Sequence, residues 1–328
     1  MSDQIEIVDT AGEQKIDRDL LGMLQDNPST ETMEKFSSAN SNYIKRKLRE
    51  NAFSRKVIPH TEVDDSRLQY IPGEERPVVV EEMEPDSPGA VSLSFNDAPD
   101  TAFYRRDEFM VVFCKISTPW FTKNVDELRT TKSPLRQIIT DNSLKDIQTH
   151  EDERFIQYVD KIVGAPNPGI GASGEVQNFT SESDITRESY IDGSKHLMMT
   201  GADGTGLPVG VFLTNRVTGW ELLKFGRNEA GGNLSESMWK QGLKAIEEGN
   251  ILGIPHLFTI KRNLVPDNVV YQFTEPDSLG RAYILQNVRM FVEKKNDILR
   301  FYAQEKIGLT IANVAGAIVQ QYGVPANT

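Results

Sequence analysis

The sequence predicts an α+β fold, in which helices and antiparallel strands occupy separate blocks instead of alternating. Three observations carry this. A single strong helical pattern runs through Ile147–Gly164. Four segments of period-two apolar residues, HLFTI, VVYQF, RAYIL and VRMFVEK, follow one another between residues 256 and 294. No internal repeat divides the 328 residues into equal units.

The helical pattern places Leu144, Ile147, Phe155, Tyr158, Val159 and Ile162 on one stripe. Ser143 followed by Asp146 reads as a capping box, and Gly164 with Pro166 ends the helix. Glu151, Asp152, Glu153 and Arg154 are assigned to the opposite face, solvated or salt-bridged to a neighbour. A lone helix is marginal in water, so its stripe must be docked.

Residues 1 to about 50 read as an arm, polar and acidic to Pro28 and then helical from about Glu31 to Asn51. Lys45, Arg46, Lys47, Arg49, Arg55 and Lys56 form the one strongly basic cluster. Two readings stand: a solvated helix end whose cations suit the macrodipole, or docking on an acidic surface of a neighbouring chain. From Asp64 to about Arg106, VVVEEME and AVSLSF read as strands of a ribbon carrying Glu74, Glu75, Glu81, Glu82, Glu84 and Asp86. A two-stranded ribbon does not stand alone in water. With no core of its own, this one is expected to pack on another molecule or to be disordered. Phe109–Ser117 then reads as a buried strand.

Residues 165–206 read as loops with a short strand near His196–Met199. VGVFLT is a strand, Val217–Phe225 a short helix, and Ser235–Glu248 a helix capped by Asn233 with Glu236. The last stretch is ambiguous. Ile307, Leu309 and Ile311 alternate as in a strand, whereas Ile311, Val314, Ala315 and Ile318 fit a helix.

Composition narrows the function classes. Only 38% of residues are hydrophobic, which fits a fold with long exposed arms or loops. Lys and Arg number 36 against 48 Asp and Glu, a net charge of −12. Nucleic-acid binding draws on cations neutralising phosphates, so a nucleic-acid groove is disfavoured. An acidic container that does not adhere to its contents remains compatible. Cys114 is the only cysteine, which excludes a disulfide framework and reads as a small core residue. The acidic N-terminus lacks the apolar region of a signal peptide, and no run is long enough for a membrane span.

No catalytic constellation emerges. Gly169–Gly174 matches G-x-G-x-x-G, but that motif needs a strand before it and a helix opening after it, and neither is present. His60, His150, His196 and His256 lack metal-ligand spacing. Glu151, Asp152 and Glu153 are adjacent on a helix and diverge. No catalytic residue, cofactor or metal is therefore expected.

The order of features resembles the major capsid proteins of tailed bacteriophages, the Hong Kong 97-type shell fold shared with encapsulins. YRRDEFMVVFCKIST followed by DELRTTKSPLRQIITDNSLKDIQTHEDERFIQYVDKIVG resembles the strand leaving the extended loop and the spine helix, with a Glu-Asp pair ahead of Phe155 and Ile156. GLPVGVFLTNRVTGWELLKFG resembles the beginning of the axial domain, and LVPDNVVYQFTEPDSLGRAYIL its late strands. KKNDILRFYAQEKIGLTIANVAGAIVQQYG resembles the C-terminal strand that crosses between domains, which favours strand up to about Asn313.

The resemblance covers roughly residues 60–322. It implies an N-terminal arm over 1–60, an extended loop over 61–110, a peripheral domain over 111–184 and an axial domain over 185–288. A returning peripheral strand over 289–308 and a C-terminal axial segment over 309–328 complete the layout. It further implies self-assembly into hexamers and pentamers of an icosahedral shell around double-stranded DNA, bound without sequence specificity and with no membrane. Portal and decoration proteins are possible partners. About 60 residues precede the extended loop, too few for the usual scaffolding segment, so a separate scaffolding protein is expected, or none. Assembly would take place in a bacterial cytoplasm and the product would be a virion. The carboxylates from Glu74 to Asp86 and the cations from Lys45 to Lys56 are the candidate inter-subunit contacts. Two alternatives are an encapsulin-type compartment holding enzyme cargo and, from another class, a nucleotide-dependent oxidoreductase built on the glycine loop.

Overall fold

A computed structural model describes residues 52–83, 92–93, 101, 107–124, 135–164, 177–181, 184–199, 206–225, 232–249, 251–295 and 297–323. The arm from 1 to 51, most of the loop from 84 to 106 and the glycine loop at 169–174 lie outside them.

Two sheets and one long helix organise these residues. After a single-turn helix, α1 (Ser54–Val57), come β1 (His60–Glu62), β2 (Val78–Met83), β3 (Asp107–Ser117) and β4 (Phe121–Asn124). With β9 (Gly280–Lys295) and β10 (Ile298–Ile311) they form a sheet of order β1-β9-β10-β3-β2, and β4 pairs with the far end of β10. The second sheet takes β5 (Asn178–Ser181), β6 (Val209–Asn215), β7 (His256–Thr259), β8 (Val269–Thr274) and β11 (Ala317–Tyr322) in the order β5-β11-β8-β6-β7. All six residues of the central β8 are buried, as expected of a strand covered on both faces. Helices α3 (Arg187–Met199), α4 (Arg216–Leu222), α5 (Gly232–Gln241) and α6 (Leu243–Gly249) accompany this sheet, and a one-turn α7 (Pro276–Leu279) leads into β9.

The long helix α2 (Leu135–Val163) has 29 residues, about 43 Å at 1.5 Å per residue. Its N-terminal half packs Ile139, Leu144 and Ile147 against Leu299, Phe301 and Ile307 of β10. Its C-terminal half packs Phe155, Val159 and Val163 into a cluster with Leu213, Phe273 and Val319 of the second sheet. One helix therefore carries both sheets. Each fully buried side chain of this size contributes about 1.5–3 kcal/mol.

Several expectations need correction. The helix begins at Leu135, not near Ser143. Ser143 lies one turn after Ile139 and one before Ile147, wholly buried within the stripe, so it is an interior residue and not a cap. The strand expected near His196–Met199 is the end of α3, because Tyr190 and Leu197 recur at helical spacing and are both buried. The single helix expected over Ser235–Glu248 is two, broken at Gly242, whose φ of +64° suits only glycine without strain. RAYIL and VRMFVEK are one strand, β9. In the last stretch the strand reading holds to Ile311, and Asn313 then turns the chain by accepting a hydrogen bond from Ala315 N at 3.0 Å. The helical reading fails there, since β11 follows.

The base of the ribbon also differs from the expectation of no core. Val63, Val79, Val111 and Phe113 bury themselves against Tyr283, so the hairpin of β2 and β3 is anchored before it leaves the sheet.

Candidate assembly surface

The charged residues singled out from sequence divide into an internal set and an external one. Internally, α1 lies across α2, with Phe53 edge-on to Phe155 at a centroid distance of 6.3 Å. This docking brings Arg55 over the middle of the helix. Its Nε donates to Glu151 Oε2 at 2.9 Å and its Nη2 to Glu151 Oε1 at 2.8 Å. The same Nη2 donates to Glu305 Oε1 at 2.7 Å. Both carboxylate side chains are only 1% exposed. Burial opposes the charge of Glu151, but the hydrogen bond and charge of Arg55 outweigh it and hold this carboxyl below the usual range. Burial, then the charge of Glu151, pushes Glu305 well above that range. One cation thus favours the charged form of one carboxylate, and burial beside that charge favours the protonated form of the second. Burial, followed by the charge of Arg55, lowers nearby His60 to about 4.

The adjacent Asp152 is wholly buried. It accepts from Ser54 N at 3.0 Å and from Lys261 Nζ at 2.6 Å. Glu151 and Asp152 were assigned to an exposed face; α1, β10 and the Lys261 turn cover that face instead. Arg55, expected in a basic docking cluster, is committed inside its own chain. Lys56 is exposed beside it, while Lys45, Arg46, Lys47 and Arg49 lie outside the described residues.

Among the acidic candidates, Glu74 pairs with Arg76 at 2.7 Å. Glu81 accepts from Arg67 Nη2 and from Tyr283 Oη, both at 2.6 Å. Glu75 and Glu82 are exposed, and Glu84 and Asp86 lie outside the described residues. The structure does not bring these carboxylates to the Lys45–Lys56 cluster within the described part of one chain.

The external feature that sequence reading missed is aromatic. Trp239 is 92% exposed and Trp220 62%, beside Val217 at 46%. The two tryptophans border a groove of about 680 Å³ whose wall includes Leu223, Phe225 and Met238. Nearby charges are paired within their own helices, Lys224 with Glu221, Lys240 with Glu236 at 2.6 Å and Lys244 with Glu248 at 3.5 Å. An apolar centre with a self-neutralised polar surround has the composition of an interface core. The available signal was position: Trp239 follows the buried Met238 and Trp220 precedes the half-buried Glu221 and the buried Leu222, which turns both indoles off the packed stripe.

Nothing in the described residues assembles a reaction centre. No group of three or more His, Cys, Asp or Glu among them could hold a metal ion, and none of their helices is long and apolar enough to cross a membrane. Tyr190 Oη and His256 Nε2 stand 2.7 Å apart, but both residues are at most 2% exposed and their rings pack against Phe212. They are core.

No protein-family model matches the chain, and no curated protein matches it. Solved structures do. The capsid of the cyanophage P-SCSP1u aligns with a TM-score of 0.58 at 10% identity, covering 85% of this chain and 89% of that one. The capsid of an empty GTA particle aligns at 0.57 and 11% identity, covering 83% and 90%. A virus-like particle from Pyrococcus furiosus aligns at 0.50 and 15% identity, covering 89% and 100%. The chain therefore has the fold of these shell proteins, the Hong Kong 97-type α+β fold that the sequence resemblance implied.

Proposed function

We propose that this chain is the major capsid protein of a tailed bacteriophage, assembling into hexamers and pentamers of an icosahedral shell around double-stranded DNA. The observation that carries the reading is alignment over more than four fifths of the chain to shell subunits. The first sheet with α2 forms the peripheral domain. The second sheet, with α3 to α6 and β11 returning from the C-terminus, forms the axial domain. The exposed Trp220–Trp239 face lies on that domain and serves contacts between subunits, where a buried tryptophan supplies more energy than most residues. The carboxylates from Glu74 to Asp86 serve contacts through the extended loop. A net charge of −12 suits a wall that holds DNA without adhering to it. Scaffolding, portal and decoration proteins would be separate partners, and the product is a virion without an enzymatic role.

An enzyme-holding compartment is the second reading, favoured by the complete coverage of the Pyrococcus furiosus particle; the lower TM-score of that alignment places it behind the phage capsids. Electron microscopy of the purified full chain, alone and with neighbouring gene products, tests the proposal. Closed shells or capsomer rings are expected. A homogeneous monomer or dimer under all conditions would overturn it, and shells carrying a co-purifying enzyme but never DNA would favour the compartment.

A further inference from the structure

Carboxylates outnumber cations in this chain, yet one cleft concentrates cations. It lies between the C-terminal half of α2 and the first sheet, encloses about 430 Å³, and has Ile162 and Ile311 among its apolar lining. Arg154 and Lys161 stand seven residues apart on α2 and so share a face. Tyr158 sits between them, and Arg76 enters from the turn ahead of β2.

Arg154 is the informative member. It is half-buried, its Nη2 donates to Tyr158 Oη at 2.9 Å, and its Nη1 faces Cys114 Sγ. No carboxylate of the described residues pairs with it. Lys161 Nζ lies 5.9 Å from the ring centroid of Tyr158 and likewise has no carboxylate among those residues. Arg76 pairs with Glu74, but both side chains are substantially exposed, and exposed pairs hold weakly. A partly desolvated guanidinium without an anion is costly. The fork geometry of Arg154, with an ammonium beside it, fits a carboxylate.

Among the described residues the chain's own hairpin does not offer one. Strands β2 and β3 pair from Val78 with Val112, at the cleft end, to Met83 with Asp107 at the far end. Five steps of a strand span roughly 17 Å, so Glu82 and its register partner Glu108 lie towards the end away from Arg76. Acidic groups at one end and a basic cleft at the other give a head-to-tail contact, which closes into rings when repeated.

We infer that the cleft of Arg76, Arg154 and Lys161 receives carboxylate side chains from a second copy of this chain. The inference rests on the shell reading above and names a contact within it.

The test uses full-length chains, one batch labelled with heavy nitrogen, mixed and then assembled at low salt. A zero-length carbodiimide joins ammonium and carboxylate groups already in contact, and peptide mass mapping then reads the linked pairs. The expected result is Lys161 joined to an Asp or Glu peptide in pairs of mixed label. In parallel, Lys161→Glu, at an exposed position, should raise the subunit concentration needed for assembly roughly tenfold while leaving the circular dichroism spectrum unchanged. Shells in which Lys161 is linked only within one label, or stays unlinked, overturn the inference alone, the latter because another anion such as nucleic-acid phosphate then fills the cleft. Unchanged assembly of the Lys161→Glu variant does the same. A chain that never assembles overturns the inference and the shell reading together.

Discussion

Arg55 and Glu151 are joined by two parallel hydrogen bonds of 2.9 and 2.8 Å across 96 residues of sequence. The pair pins the start of the described chain to the middle of the long helix, and Glu305 ties both to β10. Phe53 and Val57, on either side of Arg55, are buried in the cluster that includes Phe155. Residues 53–57 are therefore a fixed point on the long helix.

Removing one member of a buried pair strands the other, which costs about 3–5 kcal/mol. Arg55→Ala should lower the unfolding free energy of the unassembled subunit by that amount, read from urea denaturation. Glu151→Gln should also destabilise, since it deletes the charge that Arg55 holds. A loss below about 1 kcal/mol for Arg55→Ala, within the range of an exposed pair, would show that the clamp is not formed in solution.

Glu305 should behave in the opposite sense. Its carboxyl is raised by burial and by Glu151, so above the ordinary unfolded value, about 4.3, the folded state keeps a proton that the unfolded chain has lost. Stability therefore falls as pH rises from that value towards the raised one. Glu305→Gln removes this slope. The variant should melt higher than the parent at pH 8 and gain less at pH 5, and parallel melting curves at the two pH values would refute the assignment.

Phe155 sits where α2 meets both sheets, fully buried and 5.4 Å from Phe273 between ring centroids. Phe155→Ala should cost about 3–5 kcal/mol through lost transfer energy and the cavity left behind. Hydrogen exchange should show lost protection in β8 and β11 as well as in α2. A loss confined to α2 would mean that the helix does not couple the sheets.

The long helix was legible because its stripe repeats over five turns, and the late strands because β-branched and aromatic residues alternate there. The helix start was not, because Ser143 on the stripe imitates a cap. Glu151 and Asp152 were misread for a different reason. Adjacency on a helix shows that they diverge, but their partners come from residues 55, 261 and 305, and only the tertiary fold selects those. The division of β9 into two strands arose from Gln286 and Asn287, half-exposed polar residues that sit where the pairing with β10 shifts register without ending the strand. The Trp220–Trp239 face escaped notice because sequence patterning locates what is buried in one chain, and these indoles are not.

Trp239 separates folding from assembly. At 92% exposure it adds little to the isolated subunit, so Trp239→Ser should change unfolding free energy by no more than about 0.5 kcal/mol. If the face is buried between subunits, the same change removes a contact of hot-spot type, about 2 kcal/mol or more. Every 1.4 kcal/mol is a tenfold change in the association constant, and a ring repeats the loss at each junction. Sedimentation of the variant should therefore show intact monomer where the parent forms rings or shells at equal concentration. Unaltered assembly with Trp239→Ser and Trp220→Ser combined would remove this face from the contact surface.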